Sequence, residues 1–325
     1  MAEKHTNLIV SAAPHVNAPQ NTASIMRDVC IALIPAIAVS VYVFGLRALL
    51  LVLVCAAGCA FFEWATRKIL KRSNTVGDWS AILTGIILAL NLPVTMPFWM
   101  SLVGCFTAIV VVKQLFGGLG QNFANPAIVG RIALFIGYAG EMSNWTVTNK
   151  MSNVIIDAAG VDAITGPTPL GLWANGAELP SNLEMFLGTI NGSMGEISAA
   201  ALLLGGIYLI VRKVISPAIP LSFIGSVAVM ALVFGQDPLF HILAGGVMLG
   251  AIFMATDYVT SPITTAGKII FGVGCGVLTM LIRMYGSYPE GVSFAILFMN
   301  ILTPHIDDLT KHVAFGQVAD HLLYF

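Results

Sequence analysis

The sequence predicts an all-α polytopic membrane protein with about ten transmembrane helices, and three observations predict it. Hydrophobic residues make up 57% of the 325 and charged residues only 10%, against roughly 25% charged in a soluble globular domain. Apolar runs recur along almost the whole chain, many near the roughly 20 residues that a helix needs to cross a hydrocarbon core of about 30 Å. Basic residues gather at alternate ends of those runs, as the positive-inside rule requires.

The amino-terminal segment, residues 1–24, is polar, rich in Ala, Asn, Pro and Thr, and lacks an apolar signal-peptide core, so it reads as a cytoplasmic lead-in. Ten apolar runs follow, at about 26–44, 47–65, 79–91, 98–113, 126–139, 195–211, 218–235, 239–255, 269–284 and 291–304. Several are short. The third stops at Asn91-Leu92-Pro93 and the fifth starts at Asn125-Pro126-Ala127, which predicts broken or re-entrant spans whose freed backbone is covered by protein. The five cysteines (Cys30, Cys55, Cys59, Cys105, Cys275) all lie in apolar runs without a CxxC pair or a cysteine–histidine cluster. They read as small buried hydrophobes, and no metal site is predicted. A net charge of −1 with no basic–aromatic patch gives no sign of nucleic acid as a partner.

With both termini inside, twelve of the fifteen basic residues fall on the cytoplasmic side; Arg47, Lys150 and Arg283 fall outside. The stretch 140–194 carries Glu141, Asp157, Asp162, Glu178 and Glu184 against Lys150 alone, so it is placed outside. This stretch divides the chain into a first membrane repeat (25–139) and a second (195–304), followed by a cytoplasmic tail (305–325) with His305, His312 and His321. Five spans per half make the second half enter from the opposite face, the layout of an inverted repeat.

The outward stretch holds Asp162-Ala-Ile-Thr165-Gly166-Pro167-Thr168. This resembles the acceptor motif Asp-x-x-(Ser/Thr)-Gly-Ala-(Ser/Thr), in which a flavin transferase attaches FMN by its phosphate to the last hydroxyl. Pro167 replaces the usual alanine. Thr168 is then the attachment point, with Asp162, Thr165 and Gly166 shaping the motif. Glycine lets the backbone turn beside the acceptor.

Ionisable and amide groups at membrane depth are the candidates for an ion path. Asp257, Asn91, Asn125 and Arg131 form the predicted polar lining. Glu63, also a candidate, stands near the inner end of its span, within reach of Arg67 and Lys68. Gly272-Val-Gly-Cys-Gly276 lies inside a span and follows no strand, so it reads as close helix packing rather than a dinucleotide loop. Gly246 and Gly250 are read the same way, and His241 as a packing or hydrogen-bonding residue.

Four runs, Gly77-Asp-Trp-Ser-Ala-Ile-Leu-Thr-Gly85, Ala89-Leu-Asn-Leu-Pro93, Gly117-Gly-Leu-Gly-Gln-Asn-Phe-Ala-Asn-Pro-Ala127 and Ala255-Thr-Asp-Tyr-Val-Thr-Ser-Pro262, carry a family resemblance. They resemble the NqrB/RnfD family of membrane proteins, whose members serve the Rnf electron-transport complex (RnfD) and the sodium-pumping NADH:quinone reductase (NqrB). The resemblance spans about residues 20–310, and the chain length suits the Rnf member better. It implies a urea-transporter-like inverted repeat in a bacterial or archaeal cytoplasmic (inner) membrane. It implies covalent FMN on Thr168, room for a second, non-covalent flavin, and electron relay coupled to sodium or proton translocation. The implied partners are Rnf subunits A, B, C, E and G, the flavin transferase and the lipid bilayer. Two competing readings of the chain need no flavin: a solute channel or carrier on the same scaffold, and a structural subunit that only anchors partners.

Overall fold

A computed structural model describes residues 21–145, 167–188, 190, 192–286 and 290–311. Asp162, Thr165 and Gly166 lie outside the described residues, as do His312 and His321. All regular structure among the described residues is helical.

The first half comprises α1 (Thr22–Phe44), α2 (Leu46–Ile69), α3 (Ser80–Leu90), α4 (Phe98–Phe106) and α5 (Pro126–Gly137). Helix α1 starts on a capping box between Asn21 and Ser24 and meets α2 at Gly45, whose φ of +77° suits a residue without Cβ. Helix α4 runs on through residues 107–114 as a wider, π-type helix. Helix α5 starts on the Asn125 side chain, with Pro126 in its first turn. Three short helices follow: α6 (Ala139–Met142), α7 (Pro169–Ala174) and α8 (Asn182–Leu187).

The second half comprises α9 (Ala199–Val211), α10 (Ala218–Val233), α11 (Pro238–Leu243), α12 (Val247–Leu249), α13 (Thr265–Tyr285) and α14 (Val292–Thr310). Helix α12 also widens into a π-type segment, residues 250–254. The predicted run 239–255 is therefore broken at residues 244–246, where Gly245 and Gly246 take φ of +69° and +70°. Gly246 is thus a turn residue, not the packing glycine that its sequence context suggested. Helix α14 continues past Pro304, where the predicted span ended.

Four helices (α1, α2, α13 and α14) are long and apolar enough to cross a membrane; the other apolar helices are shorter. Arginines cover the backbone freed by the breaks. Arg47 donates to the Val94 and Thr95 carbonyls at 2.8 and 3.0 Å, after α3. Arg283 donates to the His241 and Ala244 carbonyls at 2.6 and 2.7 Å, between α11 and α12. These are two of the three basic residues that ran against the positive-inside pattern. They sit where buried carbonyls need donors.

Small residues set the closest approaches. Gly85 of α3 lies against the Cys55 and Ala56 backbone of α2, and Gly205 of α9 against the Ala32 carbonyl of α1. Gly272 and Gly276 of α13 face Ser222 and Ser226 of α10, with no room for a Cβ, as the packing reading expected. Gly250 meets Val292 in the same manner. Gly276→Leu should therefore force α10 and α13 apart and lower the thermal stability of the detergent-solubilised chain, by about 1–3 kcal/mol on the scale of overpacking. Unchanged melting would mean that this contact does not hold the two helices.

Candidate functional site

Two buried polar networks run through the helices, and Thr168 stands apart from both at the start of α7. In the first network, Arg131 on α5 donates to Asn91 Oδ1 (3.2 Å) at the end of α3, and to Ser293 Oγ (2.9 Å) on α14. It also pairs with Glu290 at 2.5 Å. Asn91 donates to the Ile87 carbonyl and touches Met254 Sδ at 3.3 Å. Asn125 donates to the Met254 carbonyl at 3.1 Å, and its N–H reaches Asn300 Oδ1 at 3.2 Å. Asn300 and Thr303 both donate to the Thr260 carbonyl. The π-type segment after α12 is what brings Met254 between the two asparagines. The structure therefore joins Asn91, Asn125 and Arg131 in one network that ties α3, α5, α12 and α14 together.

The second network joins α2, α3 and the π-type end of α4. Lys113 pairs with Glu63 at 2.7 Å, and neither side chain is more than 2% exposed. Lys113 also donates to Ser80 Oγ at 2.6 Å, Thr75 to Glu63 Oε1 at 2.5 Å, and Ser80 to Asp78 at 2.5 Å. Glu63 thus faces Lys113 across the bundle rather than reaching toward Arg67 and Lys68. A carboxylate at this depth needs a partner within the protein, because neither lipid nor bulk water can satisfy it.

Lys113 and Ser80 line a cavity that is open at its mouth, together with Thr84, Asn122, Asn125 and Asp257. Its apolar wall includes Met26, Leu83, Ile252 and Phe253. Asp257 accepts a hydrogen bond from Thr260 at 3.1 Å and is half-buried. Of the predicted lining residues, Asp257 and Asn125 share this cavity; Asn91 and Arg131 do not line it.

Thr168 caps α7: its Oγ1 accepts from the Gly171 N–H at 3.2 Å, and the residue is 5% exposed. Leu170 packs into the break between α11 and α12, where Gly245 and Arg283 meet it. Trp173 donates to Gln236 at 3.0 Å and sets its ring edge-to-face on His241, with centroids 5.2 Å apart. His241 is a packing residue, as expected, with a 3.4 Å contact to Arg283. Helix α8 is capped by Ser181, whose N–H and hydroxyl hold the Glu184 carboxyl below its usual range.

Sequence reasoning passed over Lys113, Glu290 and Arg283. Lys113 follows five apolar positions and was counted as a cytoplasmic flank; its place at the end of an unbroken apolar run was the available signal. Glu290 sits beside Pro289 in a connecting stretch, and nothing in its local sequence distinguishes it from a solvated acid.

Residues 9–316 match the model of the NQR2, RnfD, RnfE family. The D subunit of the Na(+)-translocating ferredoxin:NAD(+) oxidoreductase complex of Acetobacterium woodii is 49% identical over 314 residues, covering 95% of this chain and 96% of that protein. The proton-translocating counterpart from Clostridium ljungdahlii is 43% identical, covering 94% and 96%. The D subunit of the ion-translocating oxidoreductase complex of Escherichia coli (strain K12 / DH10B) is 33% identical, covering 95% and 98%.

Proposed function

Because the chain belongs to the NQR2, RnfD, RnfE family, we propose that it is a membrane-embedded subunit of an ion-translocating ferredoxin:NAD oxidoreductase complex. In this reading it carries FMN through Thr168 and works only with the other subunits of that complex, expected to be A, B, C, E and G. The observation that carries the assignment is the likeness over nearly the full length of relatives named as such subunits.

At Thr168 only the accepting side of the hydroxyl is engaged among the described residues. Its oxygen accepts one hydrogen bond, from Gly171, and donates none among the described residues. Replacing its proton by phosphorus therefore breaks no donated bond. Bound flavin would supply one- and two-electron redox chemistry, while the protein sets its position and access. Leu170 and Trp173 hold α7 against the rest of the chain, and so fix where the acceptor oxygen stands. The cavity beside Lys113 is the proposed seat of a second, non-covalent flavin. What supports this seat is the make-up of its walls, apolar with a few convergent polar groups.

We place the helices in two inverted five-span repeats, urea-transporter-like, in the cytoplasmic membrane with the flavin stretch outward. Packing supports the repeat: α2 packs on α4 as α10 packs on α13, α4 on α5 as α13 on α14, and α1 meets α9 while α5 meets α14. Each half also has one broken span whose carbonyls are taken up by an arginine. The Arg131 network crosses between the halves and is the proposed polar path.

The test is in-gel flavin fluorescence of the denatured chain after co-expression with a flavin transferase. The parent should fluoresce and Thr168→Ala should lose the signal completely. A dark parent, with the transferase active on another target, would favour a flavin-free carrier or anchor on this scaffold.

A further inference from the structure

We propose that Thr168 is modified before α7 docks, and that docking then closes the acceptor to the transferase. This rests on the reading of Thr168 as the flavin acceptor. Attachment breaks the Thr168 O–H bond and the diphosphate P–O bond of a flavin dinucleotide donor, and forms a Thr168 O–P bond. The nucleoside monophosphate leaves with the electron pair of the broken bond, and the proton passes to solvent. Nothing is oxidised or reduced. The attacking oxygen must therefore be open to a phosphorus atom held in the transferase.

In the docked structure it is not open. Thr168 is 5% exposed, and its oxygen is turned into the helix cap, accepting from Gly171. Pro169 and Leu170, the next two residues, are buried as well. Leu170 is 1% exposed and seated against Gly245 and Arg283. Trp173 closes the other end of the helix through Gln236 and His241.

The same helix is built to release. Leu170 belongs to a small apolar cluster with Met185, Ile190, Ile197, Phe240 and Ala244, joined to the main core through the partly buried Val39, Phe44 and Leu243. A six-residue helix has little stability of its own, and small units with few buried contacts can open locally without global unfolding. Helix α7 can thus leave its seat while the bundle stays intact.

The experiment uses the full-length chain purified without flavin, incubated with transferase and flavin adenine dinucleotide, and followed by in-gel fluorescence over time. Gln236→Ala and Trp173→Phe each remove the Trp173–Gln236 hydrogen bond, at different residues. Each should raise the initial rate of modification about 5-fold, the equivalent of roughly 1 kcal/mol in the docking equilibrium. Rates equal to the parent in both variants would mean that the docked acceptor is reachable, and would overturn the proposal. Slower modification in both would also overturn it, since the docked helix would then be what the transferase recognises. Absence of Thr168-dependent flavin even in the co-expressed parent would instead remove the acceptor reading itself.

Discussion

Lys113→Met should lower the stability of the detergent-solubilised chain by about 3–5 kcal/mol, because it leaves Glu63 buried without its counter-charge. Glu63 is 0% exposed, and its remaining polar partner is the Thr75 hydroxyl. Pairing the change with Glu63→Leu should recover most of the loss, since two apolar side chains of similar volume replace two desolvated charges. Thermal unfolding of the parent, both single variants and the double variant measures this coupling directly. A double variant as unstable as the sum of the singles would mean that the pair contributes through its separate neighbours, Ser80 and Thr75, and not through the ion pair.

Arg131→Met should be nearly as costly, at roughly 3 kcal/mol, the lower end of the range for a broken buried pair. Glu290 is 16% exposed, so part of its charge finds water when the arginine is gone. The change also leaves Asn91 and Ser293 without their shared donor. Because that donor joins α3, α5 and α14, its loss should loosen the contact between the two halves. Hydrogen exchange should rise in α3 and α14 together. A rise confined to α5 would mean that the network does not couple the halves.

Much of the fold was legible because its causes are local. Apolar runs, the Asn125-Pro126 start of α5 and the Asn91-Leu92-Pro93 end of α3 all announce themselves over a few residues. The break at residues 244–246 was not marked, because an Ala-Gly-Gly triplet inside an apolar run looks like a packing surface. Only its positive φ values and the donation from Arg283 distinguish it. Arg47 and Arg283 likewise looked like exceptions to a charge rule. They serve carbonyls that no one-dimensional pattern displays.

The candidate site was legible unevenly for the same reason. Asn91, Asn125 and Arg131 were grouped by residue type and depth, and they meet. Glu63 was paired with its sequence neighbours because a helix brings residues four apart together. Its partner instead lies 50 residues away, on a π-type segment. Thr168 was singled out by its motif, whereas the seat of α7 is made by Gly245, Gln236 and His241 against Leu170 and Trp173, far along the chain.

The central claim, that Thr168 carries FMN, is tested most directly by peptide mass mapping of the chain purified after co-expression with a flavin transferase. The predicted result is the mass of one phosphoester-linked FMN on the peptide bearing Thr168, with fragment ions placing it on that residue. An unmodified peptide, or an adduct placed on Thr165 instead, would contradict it.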